Sequence, residues 1–427
     1  MRKLNIAIIG LGNIGSYLFK YLKENKKILT EKNNCLPIVK YVSAKNKKRK
    51  RNITIKKNQW LNNYLDATKY KDVDLIVELI GGAEGAAKKL VFNALKNKKH
   101  VVTANKALIA KYGDILSKIA EKNKINLEFE ASVCGGVPII RSLKEGLIAN
   151  KISKIYGIFN GTSNYILSSM DKENKNFDDI LKRAKILGYA ESNPSADLNG
   201  DDVASKLKIL SSLCFNSFLN DKIYVEGINQ IDKIDINNAN SLGYKIKLLG
   251  FAELYNNKIY QRVHPTLIKK DSYVASIDGV LNAVIVDGKP VGKSIIQGEG
   301  AGPAATTSAL ISDISSILRG NIKFPFSLSN KERKLLKFEN ISDRFFSAYF
   351  RFEVMDRSGV LSNITNVFSK NRVSIKRLIQ NPDKNKKNSS IIIITHSAKD
   401  KNLNKILKEI SKRKYIKRQP KLIRIEN

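Results

Sequence analysis

Apolar and polar positions follow two rhythms along this chain. In the first, short continuous apolar runs break at glycine and pass into helical spacing. LNIAIIGLGNIGSYLFKYL predicts a strand from Lys3 to Ile9, a glycine turn and a helix. Leu36–Ser43, VDLIVELIGG (Val73–Gly82) and HVVTANKALIA (His100–Ala110) are further buried strands, the last two leading into helices near Glu84 and Lys106. INLEFEASVCGGVPII is again a strand, followed by a glycine loop and a proline-started helix, PIIRSLKEGL. From about Ile152 the second rhythm takes over. KISKIYGIFNGTSNYILSSM is strand, turn and helix, with Asn160, Gly161 and Thr162 in the turn. A helix near Phe177–Leu187 follows, and then strand-like segments: KIYVEGI, KIKLLGFAEL, KIYQRVHPTLI, NAVIVDGKPVG and KSIIQGEGAG. These predict an antiparallel sheet with hairpin turns such as Asp287-Gly288. GEGAGPAATTSALISDISSIL then gives a glycine loop and a small-residue helix. After a charged linker, Lys331–Arg344, the order strand, helix, strand, strand, helix, short strand (Lys421–Ile425) predicts a ferredoxin-like βαββαβ unit, with a polar loop at Asn381–Asn388.

The expected fold is therefore α/β. A Rossmann-type nucleotide-binding domain spans residues 1–150 and is completed by a helix around 300–320. An α+β catalytic and dimerisation domain spans 151–325, and a regulatory ferredoxin-like domain spans 345–427.

Composition changes this picture little. A chain of 427 residues supports two or three cored domains. No apolar run reaches the roughly 20 residues needed to cross a bilayer, and the N-terminus enters a strand directly, without a cleavable signal pattern. Cys35, Cys134 and Cys214 lack metal or disulfide spacing, which points to a reducing cytoplasm. The net charge of +37 is spread along the chain, and its densest run, Lys45–Arg51, has no interleaved aromatics. A basic surface that attracts anionic ligands accounts for it better than nucleic-acid binding.

The chemistry concentrates in three places. Gly10, Gly12 and Gly15 form GxGxxG between strand and helix: a tight turn, a close approach for pyrophosphate, and close helix packing. Leu36–Ser43 ends without the carboxylate that would hold ribose hydroxyls of NAD. Ser43, Lys45 and the basic run favour NADP, with NAD as the alternative. Ligands in open α/β sheets lie beyond the carboxyl ends of strands, which places Ile80, Gly81, Thr103, Asn105 and Lys106 at the cleft. The second place is the loop around Glu130, Cys134, Gly135 and Gly136, whose carbonyls suit a hard cation. The third is GYAESNPSADLNGDDVASK, Gly188–Lys206. It gathers Glu191, Asp197, Asp201 and Asp202 and ends on a helix where Asp202 and Lys206, four apart, share a face. Gly300 and Gly302 allow a further backbone approach to the cofactor. His264 reads as structural.

In their order along the chain, GLGNIG, TANK, EASVCGGVP, NGTSNYIL, LGYAESNPSADLNGDDVASK and GEGAG resemble the homoserine dehydrogenase family. The match is to the monofunctional bacterial type with a C-terminal ACT domain and no fused aspartate kinase. The resemblance covers nearly the whole chain. It implies NADP-dependent interconversion of L-homoserine and L-aspartate 4-semialdehyde in threonine, methionine and isoleucine biosynthesis. It also implies Lys206 as proton donor and acceptor, Lys106 assisting, and Glu191 and Asp202 as substrate ligands. The cofactor would be lined by Gly10, Gly12, Asn13, Ile14, Gly15, Ile80, Thr103, Lys106, Gly188 and Gly302. Glu130, Val133, Gly135 and Val137 would hold a monovalent cation, sodium or potassium. Threonine is the implied effector, and a homodimer or homotetramer the implied assembly, with no nucleic-acid or membrane partner. Ser192–Ser195 departs from the family's pattern, and Ser358 stands where it usually has proline. Desolvation and neighbouring cations are expected to lower the Lys206 pKa towards the working pH.

Two rivals remain open on sequence. An aspartate-semialdehyde dehydrogenase would use Cys134 as a nucleophile, with a base among His100, His264 and His396. A non-catalytic nucleotide-sensing protein would need the glycine motif alone.

Overall fold

Strand alternation explains why the N-terminal runs read as wholly apolar. In the computed structural model, which describes residues 1–382 and 387–426, five parallel strands form the first sheet. They are β1 (Arg2–Ile9), β2 (Cys35–Ser43), β3 (Leu75–Glu78), β4 (His100–Thr103) and β5 (Leu127–Glu128). Their order is β2-β1-β3-β4-β5. Ile6, Ile8, Leu75, Val77 and Val102 join one core with Leu18, Phe19 and Leu22 of the Asn13–Glu24 helix. The intervening Ala7, Ile9, Ile76 and Val101 face a second core with Leu90, Val91, Leu108 and Ile109 of the helices Ala86–Lys96 and Lys106–Lys122. Both faces are covered, so both side-chain phases must be apolar. The expected late helix is Pro303–Leu318, and it packs Leu310, Ile314 and Ile317 into the first core.

The second sheet is antiparallel through Gly292–Glu299, Leu281–Lys289, Lys151–Ile158, Tyr244–Tyr255 and Lys258–Lys269, in that order. It does not stop there. The free edge of Lys258–Lys269 is covered in tandem by three short parallel pieces: Lys337–Phe338, Tyr224–Val225, and Arg424, Ile425 and Glu426. Of KIYVEGI, only Tyr224 and Val225 are strand. After Glu226 donates its N–H to Val263 the chain turns inward, and the Ile228 N–H is taken by the Leu198 carbonyl at 2.8 Å.

The C-terminal unit has the expected βαββαβ order, but its last strand is longer than the sequence suggests, Ile416–Glu426 rather than Lys421–Ile425. That strand pairs antiparallel with Phe345–Met355 and parallel with the middle sheet, so one sheet runs through both units. Of the expected loop Asn381–Asn388, residues Asn381, Pro382 and Asn388 belong to strands, and positions 383–386 lie outside the described residues.

The seam is ionic. Arg351 reaches Asp235 at 2.7 Å and Asp232 at 3.0 Å. Arg424 reaches Asp400 at 2.7 Å and Glu226 at 3.1 Å, and Arg262 is paired with Glu426. All three arginines are fully buried, so each depends on its carboxylates.

Candidate functional site

The carboxyl ends of β1, β3 and β4 open onto the nucleotide cleft. Gly10 has φ +110°, and a Cβ on Gly15 would strike the Gly10 carbonyl, so turn and helix come as close as the motif requires. The Asn13–Glu24 helix begins at Gly12 with no side-chain cap, which leaves its first N–H groups available to an anion. The same holds at Gly302, which opens the Pro303–Leu318 helix. A crevice of about 360 Å³ beside this turn is lined by Gly12, Asn13, Lys20, Arg49, Arg51 and Pro303, among others. Arg51 is strapped there by donating to the carbonyls of Leu11 (2.9 Å), Asn46 (2.8 Å) and Arg49 (2.8 Å).

Beyond β3 and β4 a buried chain of bonds fixes the cleft floor. The Glu78 carboxylate accepts from the N–H groups of Ile80 (2.7 Å) and Gly81 (3.0 Å) and from the Thr103 hydroxyl (2.6 Å). Thr103 accepts from the Asn105 N–H, and Asn105 caps the Lys106–Lys122 helix. Lys106 is thereby set at a helix start over the cleft.

There it meets the third candidate region. Lys106 Nζ lies 2.7 Å from Asp202 Oδ1, and Lys206 Nζ lies 2.7 Å from Asp202 Oδ2. Asp202 lies in the first turn of the Asp201–Cys214 helix and Lys206 is one turn on, as the spacing requires. Lys206 also donates to the Phe159 carbonyl at 2.6 Å. Asn160 donates to Asp202 at 2.9 Å and to Asp197 at 2.7 Å, while its Oδ1 caps the Gly161–Glu173 helix. Burial works to raise the Asp202 carboxyl, but Lys206, Lys106 and Asn160 outweigh it and hold the group well below the usual carboxylate range. Burial raises Asp197, and the Asp202 charge adds to it.

Lys206 departs from the expectation. Desolvation does act to lower it, but the Asp202 carboxylate, with help from Cys134 and Asp197, wins, and the amine is raised rather than lowered. The expected cationic neighbour, Lys106, spends its charge on the far oxygen of Asp202. The resting site therefore holds an ammonium, with 42% of the Lys106 side chain exposed and only 10% of Lys206.

The glycine loop holds Glu130 buried at the head of the Ile139–Arg141 turn, its carboxylate accepting from the N–H groups of Ile140 (2.9 Å) and Arg141 (2.6 Å). Burial pushes it up to about 7 against those bonds. Among the described residues no hydrogen bond reaches the Val133 or Gly135 carbonyl oxygen, whereas that of Val137 accepts from Ile139. Unused carbonyls beside a buried carboxylate fit a small cation. Cys134 is buried, its thiol pushed up to about 11 by desolvation, and none of the three histidines bonds to it. A nucleophile needs the thiolate. Cys134→Ser should therefore keep turnover within about threefold in the homoserine assay; loss of all turnover would restore the cysteine route.

The structure does not bring every candidate into contact. Gly188 ends the Phe177–Ile186 helix region with φ +74°. Glu191 is exposed, and among the described residues no hydrogen bond or ion pair engages its carboxylate; Thr162 ties down its loop by donating to the Tyr189 carbonyl at 2.7 Å. Ile80 is exposed at the cleft, and Asn13 and Ile14 open the glycine helix. His264 is buried between Arg262 and Arg424 and lowered by burial, in keeping with a structural role. Sequence reasoning missed Glu78, the Phe159 carbonyl and the second task of Asn160. Only Asn160 carried a signal, as a helix cap.

Three family profiles cover most of the chain: "Homoserine dehydrogenase, NAD binding domain" over residues 10–130, "Homoserine dehydrogenase" over 138–315, and "ACT domain" over 348–414. A homoserine dehydrogenase of Helicobacter pylori is 38% identical over 100% of both chains, and one of Neisseria gonorrhoeae is 36% identical over 100% of this chain and 99% of that one. A crystal structure of a homoserine dehydrogenase from Thiobacillus denitrificans superposes with a TM-score of 0.92 at 35% identity, covering 100% of this chain and 99% of that chain. The chain thus belongs to the homoserine dehydrogenase family, NAD(P)-dependent oxidoreductases that interconvert L-homoserine and L-aspartate 4-semialdehyde.

Proposed function

We propose that Lys206 carries the proton of this interconversion, with Lys106 assisting and Asp202 paired with both. The observation that supports it most is that each oxygen of one buried carboxylate faces one lysine ammonium at 2.7 Å. A bound nicotinamide supplies or takes the hydride. When the aldehyde is reduced, negative charge gathers on its oxygen and Lys206, held protonated, donates to it. In the opposite direction a neutral Lys206 removes the hydroxyl proton. Such help is worth about 10²–10⁴ in rate. Asp202 and Glu191 hold the ammonium and hydroxyl end of the four-carbon substrate. Glu191 is free to do so because its own carboxylate lies in solvent.

The cofactor is NADP in preference to NAD. The support is the basic crevice of Arg49 and Arg51 at the glycine turn and the absence of a carboxylate at the end of β2. Gly10, Gly12, Asn13, Ile14, Gly15, Ile80, Thr103, Lys106, Gly188 and Gly302 line it. Glu130, Val133, Gly135 and Val137 hold sodium or potassium, which would balance the buried Glu130. The ACT unit takes threonine, and the assembly is a homodimer or homotetramer. The described chain has no helix long and apolar enough to cross a membrane, and its three cysteines are free, which fits a place in the cytoplasm and in threonine, methionine and isoleucine synthesis.

One assay tests these readings together: homoserine oxidation followed by absorbance of the reduced cofactor. NADP should give a kcat/KM at least about tenfold above NAD, as 1.4 kcal/mol of phosphate recognition would. Choline in place of sodium and potassium, or added threonine, should each lower the rate. Equal use of both cofactors would remove the basic crevice from recognition, and indifference to choline or threonine would remove the corresponding site.

A further inference from the structure

The Phe159 carbonyl that receives Lys206 has a second donor. Asn282, second residue of the strand Leu281–Lys289, gives its Nδ2 hydrogen to the same oxygen at 3.2 Å, across 123 residues of sequence. Asn282 is fully buried, and its Oδ1 is a buried polar atom with no hydrogen-bond partner. Its amide lies flat against Gly300, where any Cβ would overlap all three amide atoms, and close to the Cys134 thiol. One side chain thus touches the carbonyl that seats Lys206, the loop around Cys134 and the glycine loop before Gly302. A buried amide with half of its bonding capacity unused is a cost to folding, and such costs collect where function requires the group.

We propose that Asn282 is a positioning residue for proton transfer: by fixing the second lone pair of the Phe159 carbonyl, it holds Lys206 in the cleft as a neutral partner. This rests on Lys206 being the proton carrier. A carbonyl held from two sides cannot rotate with the lysine, so the amine keeps one direction through the cycle. A neutral amide does this without adding charge. The charged and titratable groups already facing Lys206 are Asp202 on its own helix, Lys106 across from Asp202, Asp197 on the Ser195–Asn199 turn, and the Cys134 thiol on the glycine loop. A third carboxylate would tip that set further towards the ammonium.

The test compares Asn282→Asp and Asn282→Ala with the wild type and with Lys206→Met, in homoserine oxidation from pH 7 to 10.5. Asn282→Asp should move the ascending limb of the kcat profile upward by about one pH unit, because the base must be neutral and an added carboxylate favours its charged form. Reduction of the aldehyde at neutral pH should be less affected. Asn282→Ala should lower kcat about tenfold or more while KM for homoserine stays within about twofold. If the aspartate variant does not fold, as judged by its melting transition, the alanine variant decides through that split of kcat from KM. An unmoved limb in Asn282→Asp together with wild-type kcat in Asn282→Ala would overturn the role of Asn282. Undiminished turnover in Lys206→Met would instead sink the proton carrier itself.

Discussion

Lys206→Met should cut turnover in both directions by about two to four orders of magnitude while the reduced nicotinamide cofactor still binds with near wild-type affinity. Methionine keeps most of the length of the side chain and removes only the amine, so the helix Asp201–Cys214 retains its packing. Stopped-flow turnover and cofactor fluorescence titration measure the two halves. The pH behaviour of the wild type follows from the same charge set. The ordinary lysine value is 10.5, and this amine sits above it. With Lys206 as the proposed proton carrier, oxidation uses its neutral form and its rate should climb through the alkaline range, whereas reduction uses the ammonium and should hold through neutrality. The stability contributed by the raised lysine is full below its unfolded value and is lost as pH rises through the folded one. That of the depressed Asp202 is full above about 3.8, its ordinary value, and is lost as pH falls towards its own folded value. Between those limits the pair stays charged. An oxidation rate independent of pH from 7 to 10 would exclude Lys206 as the base.

Asp235→Ala should be the most damaging substitution outside the catalytic centre, costing about 3–5 kcal/mol in urea unfolding. Asp235 is fully buried and accepts from Arg351 at 2.7 and 3.2 Å and from the Tyr349 hydroxyl at 3.2 Å. Its loss leaves Arg351, itself 2% exposed, with Asp232 as its nearest remaining counter-charge. Asp232 also serves Arg418, whose side chain is largely exposed, and that outer pair is worth at most about 1 kcal/mol. Replacing both buried partners, Asp235→Ala with Arg351→Met, should recover most of the stability, because no charge is then stranded. A single-variant loss below about 1 kcal/mol would mean that water reaches the seam.

Much of this architecture was legible because it is local. GxGxxG between strand and helix, and Asp202 and Lys206 at i and i+4, are patterns that a few neighbouring letters carry. Lys106 could be placed because ligand clefts lie at the carboxyl ends of strands. What escaped is what a letter does not encode. The Phe159 carbonyl is backbone, and any residue there would offer it. Asn282 meets it only after an antiparallel register brings Ala283 beside Ile158. The direction of the Lys206 shift depended on how closely the Asp202 carboxylate approaches the buried amine, a matter of ångströms. The length of the last strand was hidden because KRQPK looks like a polar tail. Its exposed half is polar, while its second half is buried against the middle sheet.

The tandem cover on Lys258–Lys269 has a bearing on how copies of the chain behave when crowded. Three separate stretches pair along that rim, so little of it is left as a template for a neighbour. Among the described residues, the main run of the long sheet then has Gly292–Glu299 and Ile375–Pro382 as its outermost strands. The second carries Lys376, Arg377 and a closing proline, features that discourage another chain from adding on. Within this sheet, among the described residues, strand addition is left chiefly Gly292–Glu299 on which to start.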